Sequence, residues 1–200
     1  MAKTDPAADT PLTPRPVLIV LTQGYADWET PLIAAAASDF YGLKVRHATP
    51  GGGDVTSMGG LHVTGLPDLS LLPDEIVVVC GGNIWTTDSA PKIGPFLRKA
   101  HDDGHVIAGI CAGVIPMARA GLLDKGAHST NGLPFMDHYV PGYAGRARHQ
   151  DTSSAVSDAG IITAAGTAPL TFALEVLKAA GVPSLQRGEM RQMLLAETRD

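Results

Sequence analysis

Two hundred residues, 44% apolar and 18% charged, can bury a sizeable core, which excludes a disordered chain and points to one domain. The net charge of −5 comes from scattered acids and bases with no Lys/Arg block, which excludes nucleic acid or an anionic membrane as the main partner. No apolar run reaches the ~18 residues of a membrane span.

Residues 1–14 are polar and Pro-rich without a hydrophobic signal segment. They read as a flexible tail before a single domain over 15–200, in a cytoplasmic protein. A short apolar run, 16–21 (PVLIVL), has the pattern of a strand buried on both faces. After a loop at 22–27, an Ala-rich helix is expected over 29–41, then a second strand at 43–48. Glycines at 51–53 and 59–60 bracket a small hairpin around Val55 and Val63. The run 75–80 (EIVVVC) is a third buried strand that stops at Gly81-Gly82. A helix over 89–103 leads to a fourth strand at 105–110 (HVIAGI), with Cys111 directly after it and a helix over 112–120. A short strand is expected at 127–130, then an irregular Gly/Pro/Tyr-rich stretch over 132–148. Strands at 155–157 and 161–164 flank a turn, and helices over 169–180 and 185–198 close the chain. Strand–helix alternation predicts an α/β fold with a mostly parallel sheet and helices on both faces. Ligands then sit at the carboxyl ends of the strands, so the residues after the first, third and fourth strands are the ones to interrogate.

Gly109-Ile110-Cys111-Ala112-Gly113 has the form of a nucleophile elbow with cysteine in the nucleophilic place. Such a turn strains the backbone, needs small residues either side, and sets the thiol over a helix N-terminus, which favours thiolate. The competing reading is a buried core thiol. Gly81 and Gly82 could supply a backbone N–H that pairs with one from Ala112 or Cys111 to hold an oxyanion. In the loop after the first strand, Asp27 fits a helix cap, and Glu29 is either a first-turn acid or a carboxyl aimed at Cys111. The chain has two cysteines, too few for a disulfide framework. Cys80 reads as an apolar filler, with a redox partner for Cys111 as the alternative. The histidines lack metal-ligand spacing, and neither a metal nor a cofactor is expected.

AGICAG, VVVCGGN and GYADWET, in this order and spacing, resemble the ThiJ/PfpI family of the class I glutamine amidotransferase-like superfamily. The resemblance runs from about residue 15 to 180 and includes the Gly-Thr-Ala-Pro turn at 166–169. It implies a flavodoxin-like three-layer sandwich and a homodimer. It also implies Cys111 as reactive cysteine, Glu29 as its carboxyl partner, and Gly82 with Ala112 as oxyanion donors. PfpI-type proteases carry His directly after the cysteine, where this chain has Ala112. Deglycase-like members carry a His where this chain has Asn131, in the run His128-Ser129-Thr130-Asn131. A neutral amide cannot accept the proton, and strand alternation sets His128 on the face opposite residue 131. Further substrate-lining candidates are Asn131, Trp85, Trp28, Tyr25, Gly81 and His128. Together these residues predict a cysteine-dependent hydrolase, amidase or glyoxalase-like enzyme acting on a small carbonyl or amide. The alternative is a redox-sensing or stress-protective protein that works by oxidation of Cys111.

Overall fold

The computed structural model describes residues 14–196. The tail expected over 1–14, Pro14 excepted, and the end of the final helix therefore lie outside the described residues. Strands β1 (Val17–Val20), β2 (Val45–Ala48), β5 (Ile76–Val79), β6 (Ile107–Ile110), β7 (Val156–Asp158) and β8 (Ile161–Ala164) form one sheet in the order β2-β1-β5-β6-β8-β7. All neighbours are parallel except β7, which pairs antiparallel with β8 at the edge. Strands β3 (Gly53–Thr56) and β4 (His62–Leu66) form a separate antiparallel hairpin.

The central strands are buried at every position, which is why they read as unbroken apolar runs. Alternate residues feed two cores. Val17, Ile19, Ile76, Val78 and Ile110 pack on the side of helices α1 (Pro31–Ala35) and α5 (Pro169–Ala179). Leu18, Val20, Val77, Val79 and Ile107 pack on the side of α2 (Gly94–Asp102), α3 (Val114–Arg119) and α4 (Leu133–Tyr139). Each large side chain buried in these layers is worth ~1.5–3 kcal/mol against exposure. The result is a three-layer sandwich, and α6 (Ser184–Leu195) adds Met190 to the first core.

The elements depart from the sequence reading where proline or saturated hydrogen bonding intervenes. Helix α1 begins at Pro31, a favoured first-turn residue, and continues as a π-helical turn at Ala36–Phe40. Glu29 is therefore outside the helix. The helix expected from 89 begins only at Gly94, because Pro91 and Pro95 would otherwise fall in its interior. Residues 127–130 do not join the sheet, since β6 and β7 already occupy both edges of β8. That segment makes one bridge, His128 to His149, and is tied to β8 by Ser129 N–H donating to Thr163 Oγ1 at 2.8 Å. The stretch 132–148 contains α4 and a 3-10 turn at Ala144–Arg148.

Candidate active site

Cys111 directly follows β6 and has φ 55°, the left-handed region that a non-glycine residue enters at a cost. The strand-to-helix turn forces it there. A Cβ on Gly113 would overlap Val79 O, and one on Gly109 would overlap Met117 Sδ, so the elbow closes only with glycine at both places. Cys111 is half-buried and lines a cleft of about 630 Å³ with Trp28, Thr130, Asn131, Asp151 and Gly166.

Glu29 is 1% exposed. Its Oε2 accepts the Gly81 N–H at 2.6 Å, and the Cys80 thiol lies 3.8 Å from the same oxygen. Oε1 has no hydrogen-bond partner and is the carboxyl oxygen on the sulfur's side, since a Cβ placed on Gly166 would stand 2.8 Å from Cys111 Sγ and 3.5 Å from Glu29 Oε1. Burial pushes the Glu29 carboxyl up to about 7, against hydrogen bonds from Gly81, Cys111 and Cys80 that favour the anion.

The Cys111 thiol is pushed up, first by burial and then by the Glu29 charge, while donation from Asn131 and the Ala112 N–H pulls it back. The expected lowering by the helix N-terminus is thus outweighed. The carboxyl is therefore the first of the two groups to release its proton, and the last proton of the pair rests on the sulfur.

Asn131 holds the sulfur from the other side: Nδ2 donates to Cys111 Sγ at 3.2 Å, and Oδ1 accepts the Gly166 N–H at 2.9 Å. Trp28, 53% exposed, donates its indole N–H to Gly166 O at 3.2 Å and lines the cleft. The Gly81 N–H is taken by Glu29. Tyr25 and Gly82 form the non-hydrogen-bonded pair of an antiparallel bridge, flanked by Asn83 N–H to Gly24 O and Ala26 N–H to Gly81 O. The Gly82 N–H therefore turns away from Tyr25.

Three candidates lie elsewhere. Trp85 is fully buried in the core, where its indole N–H donates to Cys80 O at 2.9 Å. Tyr25 is buried and faces a neighbouring pocket with His47 and Leu61. His128 is fully buried with its ring against Tyr143 and His149, and burial lowers its pKa. The residue-level reading missed Gly166, whose small size admits the sulfur. Its signal is an Ala-Gly-Thr run at the carboxyl end of β8, the strand beside β6.

A parallel three-layer sandwich with a cysteine elbow facing a buried acid defines a class of proteins. A profile of the DJ-1/PfpI family matches residues 15–179, and the chain belongs to that family. The chain is 32% identical over 179 residues to an uncharacterized protease, YoaZ, of Bacillus subtilis, covering 82% of each protein. Among solved structures, a DJ-1 superfamily protein from Agrobacterium tumefaciens superposes with TM-score 0.86 at 39% identity, covering 92% of this chain and all of that one. A thiJ/pfpI family protein from Bacillus anthracis gives TM-score 0.78 at 30% identity, covering 88% and 87%. The architecture is the flavodoxin-like fold of that family. Among the described residues no helix is long and apolar enough to cross a membrane.

Proposed function

We propose that this protein is a cysteine-dependent enzyme that attacks a small carbonyl or amide substrate with Cys111, with Glu29 carrying the proton. The observation behind this reading is the convergence of a buried acid and an amide donor on one sulfur held at φ 55°. With Glu29 protonated, the Cys111 thiolate attacks the carbonyl carbon and the π pair moves onto oxygen, to be held by the N–H groups of Gly82 and Ala112. For an amide, the C–N bond breaks, the amine leaves with the proton from Glu29, and a thioester remains. The Glu29 carboxylate then takes a proton from the water that hydrolyses it. For an aldehyde, the proton goes to the oxyanion and gives a hemithioacetal. The protease name of the Bacillus subtilis relative favours the amide route. Asn131 positions the sulfur and takes no proton.

A screen of amide, ester and 2-oxoaldehyde substrates against wild type and Cys111→Ser tests this. Loss of turnover by ~10² or more in the variant supports the scheme; equal turnover overturns it.

A second reading is oxidation of the same sulfur. A protonated Glu29 and Asn131 Nδ2 can both donate to a sulfinate, which forms as two peroxide molecules each transfer one oxygen to sulfur and leave as water. Peptide mass spectrometry after mild peroxide treatment should then find selective modification at Cys111.

A further inference from the structure

Cys80 is a second thiol that the scheme above does not use. It is fully buried at the end of β5, directly before Gly81. Its sulfur has two acceptors, Ala26 O at 3.6 Å and Glu29 Oε2 at 3.8 Å. A thiol has one proton to give. Toward Ala26 it leaves the carboxyl alone; toward Glu29 it adds a second donor to an oxygen that already holds the Gly81 N–H.

We propose that Cys80 is a positioning residue of this site: its thiol donates to Glu29 Oε2 and thereby reserves Oε1, the oxygen facing Cys111, for the carboxyl's proton. The inference rests on the Cys111–Glu29 reading of the preceding section and adds a residue that acts through Glu29. The geometry is directional. A proton on Oε2 would meet the Gly81 N–H at 2.6 Å and the Cys80 S–H at once, whereas Oε1 has no competing donor. When Glu29 ionises, the Cys80 S–H and the Gly81 N–H together on Oε2 stabilise the anion, which biases the shared proton toward the Cys111 sulfur. Among the described residues, the titratable groups coupled to Glu29 are Cys111 and Cys80, and Tyr25 is coupled to Cys80 from the loop after β1. Cys80 itself is held neutral, because burial and the nearby Glu29 charge both push its thiol up.

The test is the pH dependence of Cys111 alkylation by iodoacetamide, read by peptide mapping, in wild type, Cys80→Val, Cys80→Ser and Glu29→Gln. Valine fills the site with an apolar group and removes the donor; serine is smaller and keeps a donor, so the pair separates loss of the hydrogen bond from a change of packing. The expected result is that Cys80→Val moves the Glu29-linked inflection to higher pH by ~0.3 units or more, with serine lying closer to wild type. Above that inflection, where the wild-type Cys80 S–H stabilises the ionised carboxyl, the sulfur of the valine variant should react about twofold faster. Superimposable Cys80→Val and wild-type profiles, with Glu29→Gln shifted, overturn the role of Cys80 and leave the Cys111–Glu29 pair standing. A Glu29→Gln profile that matches wild type overturns both.

Discussion

Asn131 reaches Cys111 from the crossing segment after α3, with Nδ2 at 3.2 Å from Sγ, and its other amide atom is fixed by the Gly166 N–H. The amide cannot flip without turning its oxygen toward sulfur and losing the Gly166 bond, so the donor always faces the thiol. This gives the sulfur a neutral donor in a place where a base would compete for the proton.

Replacing that donor should slow the sulfur. Asn131→Ala removes one hydrogen bond to the thiolate, and its iodoacetamide rate at pH 7 is expected to fall by about three- to tenfold. Asn131→Asp puts an acceptor and a charge beside the sulfur, raises its proton affinity, and should cost tenfold or more. Alkylation rates unchanged in both variants would show that the 3.2 Å contact has no chemical consequence.

Stability carries the signature of Glu29. The carboxyl titrates near 7 in the native protein against an ordinary 4.5. Below the ordinary value both folded and unfolded chains hold the proton, and the native state keeps its full advantage. Between the two values the unfolded chain releases the proton and the native chain retains it, so stability falls as pH rises, by roughly 3 kcal/mol across the window. Urea denaturation at pH 4.5, 6 and 7.5 should show this decline in wild type and a flatter curve in Glu29→Gln. A wild-type curve that rises over the same range would mean that the acid is ionised in the folded state.

The elbow is legible because its requirement is steric and local: Gly109 and Gly113 flank Cys111 where a Cβ would meet Met117 and the β5 backbone. The buried strands are legible because a run such as IVVV has no polar face to solvate. What joins the elbow to its neighbours is not local. Asn131 lies 20 residues from Cys111, and Gly166 a further 35 from Asn131. They meet because β6 and β8 are adjacent in the sheet, which strand order alone determines. Trp85 shows the opposite failure. Its place after Gly81-Gly82 suggests the cleft, but the 3-10 turn at Asn83–Thr86 turns the indole into the core.

The two tryptophans should therefore separate stability from binding. Trp85→Phe leaves Cys80 O without its 2.9 Å donor and a gap beside β5, a loss of about 2–3 kcal/mol by urea denaturation. Trp28→Ala removes a half-exposed ring from the cleft and should change stability by about 0.5 kcal/mol or less, with its effect on KM. The reverse pattern would assign Trp85 to the cleft after all.

Gly166 offers the sharpest steric test of the site. Its backbone is not in the left-handed region, so alanine is conformationally permitted and any penalty comes from contact. The added Cβ would stand 2.8 Å from Cys111 Sγ and 3.0 Å from Cys111 Cβ. The elbow cannot retreat, because Gly113 already lies against Val79 O, so either the sulfur rotates away from Glu29 or the 166 loop lifts and breaks the Asn131 bond. Both outcomes separate sulfur from its partners. Gly166→Ala should lower the Cys111 alkylation rate at pH 7 by about tenfold and cost ~1–3 kcal/mol through overpacking. Gly188→Ala, in α6 with nothing within 4 Å of its added Cβ, is the matched control and should gain ~0.5–1 kcal/mol in helix propensity with Cys111 reactivity unchanged. If Gly166→Ala and Gly188→Ala react alike, the sulfur is free to leave the position in which Glu29 and Asn131 converge on it.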